Sequence, residues 1–211
     1  MTVSHTPSPA RTDVQGTPTP TTATATVRWT GALVTAGALI WASSLAVLGA
    51  NPDDSLRITI TDLAAVPFQL GLFALVHTQL RTSATGTSRA ARGLLRVEFV
   101  LLTLATLWSI LHGAVPAWRN SVPVAILDVF WPLSMLGMAI IGIKIAFAAR
   151  WRGAARVWPA VAESWALVTV PAFGIFGSPI ADWVGAGHLL IGYTMLGLIL
   201  ALRPHLTGSQ D

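Results

Sequence analysis

The chain of 211 residues is 53% hydrophobic and only 10% charged. Because a typical soluble domain carries about 25% charged residues, this composition excludes an ordinary water-soluble globule. The chain has no cysteine, which excludes disulfides, thiolate metal ligands and a cysteine nucleophile. Its net charge of +4 would suit nucleic acid only if the cations shared one exposed face.

The first segment, residues 1–27, is rich in threonine, proline and alanine and contains no hydrophobic block. Such a segment buries too little apolar surface to offset the entropy lost on ordering, so we predict a disordered cytoplasmic tail. A secretory signal requires a basic start followed directly by an apolar core. This segment has neither, and the first hydrophobic helix is therefore predicted to be an uncleaved anchor.

Six hydrophobic blocks follow, each near the roughly 20 residues that a helix needs to cross about 30 Å of hydrocarbon. They lack the alternation of a β-barrel, and within lipid a helix then satisfies its own backbone hydrogen bonds. We predict an all-α polytopic membrane protein, with six transmembrane helices in a bundle over residues 28–203 and a short cytoplasmic tail at 204–211. The predicted blocks are 29–50, 58–80, 97–118, 123–149, 158–178 and 182–202.

The positions of the cations predict an orientation. If the chain crosses six times, eleven of the 13 lysines and arginines fall on one side, and only Arg57 and Arg119 fall on the other. The positive-inside rule then places both termini in the cytoplasm. We predict a multi-pass protein of the cytoplasmic (inner) membrane that contacts membrane lipid and does not bind nucleic acid. An oligomer is compatible with this pattern.

Ionisable side chains inside a membrane span are costly, so they mark a protein-lined interior by default. In the predicted topology, one layer of such residues lies five to seven residues below the outer boundary, and Trp131 shares a helix face with one of them. This layer predicts an outer-half ligand-binding cavity. Its predicted lining residues are Asp62, His112, Asp128, Trp131 and His188.

Each of these residues also has a structural interpretation. A carboxylate near a helix N-terminus is stabilised by the helix dipole, which is the preferred role for Asp182 at the start of the last block. A buried histidine is often satisfied by one interhelical hydrogen bond. Glycines in the later blocks are predicted to permit close helix approach rather than to bind a ligand.

A second layer of ionisable residues lies toward the cytoplasm and consists of His77, Glu98, Lys144 and Glu163. Intervals of seven and eight residues predict that His77 shares an interior stripe with Asp62 and Gln69. Glu98 shares a stripe with Ala105, Ser109 and His112. Because basic loops are close in sequence, both glutamates are predicted to pair with arginines, namely Arg92, Arg96 or Arg156, and Lys144 is predicted to reach the inner surface.

Tryptophans and prolines add two predictions. Five tryptophans at block ends are predicted interfacial anchors: Trp29, Trp118, Trp151, Trp158 and Trp183. Trp41, Trp108 and Trp165, like Trp131, lie deeper, and packing between helices is favoured over ligand stacking. Pro132 removes the backbone donor that would bond the carbonyl of Asp128, so this carbonyl is predicted to be available to a ligand or water, and Pro67 is predicted to loosen the second helix.

Three functions fit this pattern. Permeation or transport of a small or lipophilic solute is preferred, because acids and imidazoles in two layers suggest a pathway. One alternative is an embedded lipid- or isoprenoid-modifying enzyme with an aspartic general acid, for which the candidate catalytic residues are Asp128, Asp62, His112 and His188. The other is an accessory or structural membrane subunit. We predict no cofactor and no metal, since no close-spaced ligand pair or nucleotide-binding loop occurs.

Overall fold

A computed structural model describes residues 23–209. Most of the predicted disordered tail, and residues 210–211 of the predicted C-terminal tail, lie outside the described residues. Within 23–209 the chain is helical and has no strand, and six helical spans are long and apolar enough to cross a membrane. The predicted all-α fold with six spans is confirmed. The first helix begins at Thr24, so the last residues of the predicted tail are helical.

The first three spans are single helices, and the last three are each divided. The first three are α1 (Thr24–Leu48), α2 (Ser55–Arg81) and α3 (Arg89–Ala114). The fourth span consists of α4 (Val122–Asp128) and α5 (Phe130–Ala148), and the fifth of α6 (Gly153–Ala162) and α7 (Trp165–Phe176). In the sixth, a π-helical turn (Leu190–Thr194) joins α8 (Ile180–Leu189) to α9 (Met195–Leu202).

Local sequence signals set several helix ends. Asp54 caps α2, because its Oδ2 accepts the backbone N–H groups of Leu56 and Arg57, both at 3.0 Å. Ser88 caps α3 in the same way by accepting the N–H of Ala91 at 3.1 Å. Helix α1 ends before Gly49, whose φ of +79° suits glycine. These residues set the starts of α2 and α3 and the end of α1.

Glycines bring α1 into close contact with two neighbouring spans. Gly31 on α1 and Gly197 on α9 face each other, and a Cβ on either would overlap the carbonyl oxygen of the other. Gly37 on α1 packs in the same way on the backbone of Pro67 and Phe68 in α2. Small residues permit such backbone contact between membrane helices, so α1 lies at the centre of the packing.

The last three spans are broken at Val129, at Glu163–Ser164 and at the π-helical turn. Val129 separates α4 from α5 three residues before Pro132, whose missing backbone donor favours a break at this point. Pro67, in contrast, lies within a continuous α2, so the prediction of a loosened second helix is wrong. At the π-helical turn, Trp158 Nε1 donates to the carbonyl oxygens of Ile191 and Gly192, both at 3.1 Å. Turns of this kind often occur at functional sites.

The lateral surface of the bundle is apolar, with large hydrophobic side chains exposed along every span, as expected of contact with lipid. Trp29, Trp118 and Trp183 are exposed near span ends, as expected of interfacial residues. Trp151 was predicted to be another anchor, but it is fully buried and its Nε1 donates to Thr82 Oγ1 at 2.9 Å. It therefore joins the loop after α5 to the end of α2.

Candidate functional site

A cavity of about 240 Å³ lies between the spans, at the end of the bundle that the distribution of cations predicts to be external. We call it the outer cavity. Its polar lining comes from the loop after α1 and from α2, α3, α4 and α7, and consists of Asn51, Thr61, Asp62, Ser109, Asp128 and Thr169. Its aromatic lining consists of Trp41, Trp108, Trp131, Trp165 and Phe173. Residues from five of the six spans thus line one cavity. The aliphatic lining residues come from these same spans and from the loop after α1.

The structure brings together most, but not all, of the residues predicted to line this cavity. Asp62, Asp128 and Trp131 line it. His112 lies behind Asp62, and its Nδ1 is 2.6 Å from Asp62 Oδ2. His188 does not line the cavity, because it turns toward the break in the fifth span, where its Nε2 is 3.2 Å from Ser164 Oγ.

Asp62 and His112 form the one ion pair within residues 23–209. Their side chains are 13% and 24% exposed, so the pair is largely withdrawn from solvent. The imidazole stacks on Trp108, with ring centroids 4.8 Å apart and planes at 15°. Arg119 Nε donates to the backbone carbonyl of His112 at 2.8 Å. These contacts hold Asp62 at a fixed position in the cavity wall.

Arg119 also joins the outer ends of α2 and α3. Its guanidinium donates to Ser55 Oγ at 2.9 Å and to Thr59 Oγ1 at 2.6 Å. A lysine presents one compact ammonium and cannot reproduce this fork.

We therefore expect Arg119→Lys to lower the free energy of unfolding by about 1–3 kcal/mol, the usual cost of hydrogen bonds to a charged group. Thermal unfolding in detergent micelles would measure this effect. Arg57→Lys is the matched control, because Arg57 is an exposed arginine in the first turn of α2 whose side chain makes no hydrogen bond within the described residues. Equal melting temperatures for the two variants would contradict the expectation.

Asp128 is the second carboxylate of the cavity and has a different environment. It is the last residue of α4 and is exposed to the space of the cavity. Within residues 23–209 its carboxylate has neither a hydrogen-bond partner nor a basic partner. A carboxylate without a partner in a cavity lined mainly by apolar side chains attracts a cationic ligand. Asp128 is therefore the free anionic group of the site.

Three indole rings pack against each other at the inner wall of the cavity. The ring centroids of Trp41 and Trp165 are 5.1 Å apart, those of Trp131 and Trp165 5.4 Å, and those of Trp41 and Trp131 5.6 Å. Trp165 is fixed further by its Nε1, which donates to the carbonyl oxygen of Gly185 at 2.9 Å. These rings pack between helices, as predicted, and all three line the cavity. Trp131 was predicted to line it, whereas the lining by Trp41 and Trp165 was missed. The sequence signal for this lining was the predicted depth of the tryptophans, which is similar to that of the two aspartates.

Polar groups continue inward from the cavity. Ser109 lines it and accepts a hydrogen bond from Gln69 Nε2 at 2.9 Å. Gln69 is buried, and its Oε1 has no partner within the described residues. His77 does not extend this stripe, because it is exposed. At about 100° per residue, eight residues turn His77 about 80° away from Gln69, which is enough to move it off the interior face.

The two glutamates of the inner layer are both buried. Ser134 Oγ donates to Glu98 Oε1 at 2.5 Å, and Gln79 Nε2 donates to Glu163 Oε1 at 2.9 Å. The predicted pairing with arginines is wrong, because the nearby arginines bond to backbone or point outward. Arg92 donates to the carbonyl oxygen of Thr87, Arg156 donates to that of Ala146, and Arg96 is exposed.

Asp182, predicted to be a capping residue at the outer surface, is buried and lies outside the cavity lining. Its Oδ1 accepts the backbone N–H of Ala50 at 2.9 Å. Ala50 itself lines the cavity, so this bond attaches the loop after α1 to the start of α8. Asp182 thus supports the cavity wall indirectly.

The fold and the site together define a class: a multi-pass membrane protein with an acidic and aromatic cavity between its helices. Comparisons of the chain with protein-family models, with curated proteins and with solved structures find no match. The function is therefore argued below from the chemistry of the outer cavity.

Proposed function

We propose that this protein binds a small organic cation with an apolar body in the outer cavity and moves it across the membrane. The observation that carries the proposal is the combination of two carboxylates, Asp62 and Asp128, with indole walls in one cavity. The proposal keeps both termini in the cytoplasm and the cavity in the outer half of the cytoplasmic membrane, as the distribution of cations predicts.

The chemistry of the cavity wall favours a cation over other ligands. A carboxylate attracts a cation, and indole is the best aromatic partner for one within about 6 Å of the ring centroid. Neither arginine nor lysine pairs with Asp62 or Asp128 within the described residues. An anionic ligand would be repelled by the unpaired carboxylate of Asp128, and a purely apolar ligand would leave that carboxylate without a partner. The cavity volume of about 240 Å³ is smaller than the roughly 300–1,000 Å³ of sites that bind drug-sized molecules. The ligand is therefore expected to be small.

Two features support movement through the bundle as well as binding. Polar side chains lead inward from the cavity, first Ser109 with Gln69 and then the buried glutamates. The spans that line or face these groups are divided at Val129, at Glu163–Ser164 and at the π-helical turn. Divided helices at membrane depth are a recurrent feature of transporters, in which they form binding sites and permit rearrangement.

Uptake into proteoliposomes tests this function. Vesicles containing the protein are expected to accumulate radiolabelled benzyltrimethylammonium in response to a membrane potential that is negative inside. Asp128→Asn should lower the initial rate about tenfold, which corresponds to about 1.4 kcal/mol of lost interaction. Asp53→Asn is the control, because it removes the same charge from an exposed loop position outside the cavity. Uptake equal to that of protein-free vesicles would contradict the proposal.

A second candidate function rests on the Asp62–His112 pair. A short carboxylate–imidazole hydrogen bond is an arrangement that general acid–base catalysis also uses. An embedded enzyme acting on a lipophilic substrate would then convert that substrate without net uptake. Product analysis of the same vesicles, supplied with lipid and isoprenoid substrates, distinguishes the two: chemical conversion that requires both Asp62 and His112 would favour the enzyme.

A further inference from the structure

The chain contains only two glutamates, and both lie in the interior of the bundle. Glu98 and Glu163 are each 1% exposed. Glu98 comes from α3, and Glu163 from the break between α6 and α7. Both approach the same helix, α5, where Glu98 lies against Gly137 and Glu163 lies against Gly142. The two glutamates of the chain thus lie against one helix in the interior of the bundle.

Two glycines of α5 provide the space for these carboxyl groups. A Cβ on Gly137 would overlap Glu98 Oε2, and a Cβ on Gly142 would overlap Glu163 Oε2. Gly142 also lies against the carbonyl group of Pro159. The first glycine therefore makes room for an acid rather than for a neighbouring helix backbone. Such a fit indicates that the acids have defined positions on the surface of α5.

The polar atoms of this centre are incompletely paired. Each glutamate accepts one hydrogen bond through Oε1, whereas Oε2 of each has no partner within the described residues. Tyr193, in the π-helical turn, is fully buried, and its hydroxyl also lacks a partner within the described residues. The neighbouring Gly192 packs against Ala162, the residue before Glu163. We call Glu98, Glu163 and Tyr193 the inner centre. Unpaired buried oxygen atoms of this kind are costly unless they bind something.

No basic group compensates the inner centre within residues 23–209. Its own ionisable groups come from three spans: Glu98 from α3, Glu163 from the fifth span and Tyr193 from the sixth. Helices α2 and α5 contribute the neutral side chains of Gln79 and Ser134. The nearby basic residues are directed elsewhere: His77, Lys144 and Arg156 are exposed, and His188 contacts Ser164. Two carboxylate charges so placed would repel each other in a medium of low dielectric.

The break in the fifth span connects the inner centre to the outer cavity. Three consecutive residues meet different surroundings: Glu163 belongs to the inner centre, Ser164 contacts His188, and Trp165 lines the cavity. Helix α7, which starts at Trp165, also supplies Thr169 and Phe173 to the cavity wall. Any movement of α7 about this break changes the cavity wall and the surroundings of Glu163 together.

We propose that the inner centre is a proton-binding site, at which Glu98 and Glu163 take up a proton from water and release it when α7 moves. The step transfers H⁺ between water and a carboxylate oxygen and requires no other reactant. Binding of the organic cation in the outer cavity shifts the proton occupancy of Glu163, so that the two ions are coupled. The coupling rests on the proposed function, whereas proton binding does not.

The presence of only two glutamates permits a selective experiment. Cell-free synthesis with [5-¹³C]glutamate labels two side-chain carboxyl groups, and the ¹³C chemical shift separates a carboxylic acid from a carboxylate. In the full chain in lipid bilayers, we expect two carboxyl signals, of which at least one moves between these positions as the pH is changed. Glu98→Gln and Glu163→Gln each remove one of the two carboxyl signals. The signal lost in a variant belongs to the replaced residue, and the remaining signal belongs to the other glutamate.

The controls separate this proposal from the proposed function. Addition of benzyltrimethylammonium at fixed pH should shift the Glu163 signal in the wild type, and the shift should be lost in Asp128→Asn. If the cation does not bind, the pH titration still tests the proton site. If both carboxyl groups stay in the same protonation state at every pH, the proposal of proton binding is overturned. Signals that respond to Na⁺ at fixed pH would overturn it in favour of a sodium site.

Discussion

Replacing Gly197 with alanine is expected to destabilise the bundle by about 1–3 kcal/mol, the range for overpacking a close contact. The added Cβ would meet the backbone oxygen of Gly31 and both the side chain and the backbone nitrogen of Thr35. Backbone atoms of a helix cannot rotate away as a side chain can. Helices α1 and α9 would therefore have to separate, and the apolar contacts on either side of the crossing would weaken.

Reversible thermal or denaturant unfolding in micelles, followed by circular dichroism, measures this effect. Gly187→Ala is the matched control, because it lies in the same span and an added Cβ would meet no atom within 4 Å. Alanine is favoured over glycine within a helix by roughly 0.5–1 kcal/mol, so this control should be neutral or slightly stabilising. Equal destabilisation by the two substitutions would show that the close crossing of α1 and α9 is not present.

Replacing Asp128 with asparagine is expected to weaken the binding of benzyltrimethylammonium at least tenfold and to leave thermal stability unchanged or raised. A tenfold change corresponds to about 1.4 kcal/mol. The carboxylate has no partner within the described residues, so its removal breaks no bond of the folded chain. Asp128 is exposed to the cavity, so the neutral amide removes the attraction for the ligand and leaves the packing of the folded chain intact.

The measurement combines a fluorescence titration of the indoles with thermal unfolding of the same samples. Asp53→Asn should retain wild-type affinity, because Asp53 is exposed in the loop before α2 and does not line the cavity. A large loss of stability in Asp128→Asn would assign a structural role to the carboxylate. Unchanged affinity would remove Asp128 from the binding site.

Much of the fold follows from the sequence, because a membrane limits the structures that a chain can adopt. Twenty apolar residues in a row have few alternatives to a helix, and six such blocks predicted six spans. The environment of single side chains was less predictable. Trp151 lies at a block end, as an interfacial anchor would, yet it is buried because the chain after α5 folds back toward Thr82. Hydropathy describes depth along the membrane normal and does not specify contacts at the surface.

The candidate site was predictable where depth and helical register were sufficient. Asp62 and Asp128 have the same predicted depth, so their presence in one cavity could be expected from the sequence. Asp128 nevertheless lies at the end of α4, beside a break that the sequence interpretation did not predict. His188 has the same predicted depth but faces Ser164, because the rotation of α8 depends on packing with α7. Glu163 lies in a helix break, where a period of 3.6 residues does not apply, and its burial is visible only in three dimensions.

The most direct test of the cation site compares benzyltrimethylammonium with neopentylbenzene, which has the same shape with carbon in place of the charged nitrogen. Both are titrated into the wild-type protein while tryptophan fluorescence is recorded, with protein-free micelles and Trp131→Phe as controls. We predict a saturable change for the cation and at least tenfold weaker binding of the uncharged compound, since the aspartates and indoles recognise charge. Equal affinities for the two compounds would contradict a cation site and leave only an apolar cavity.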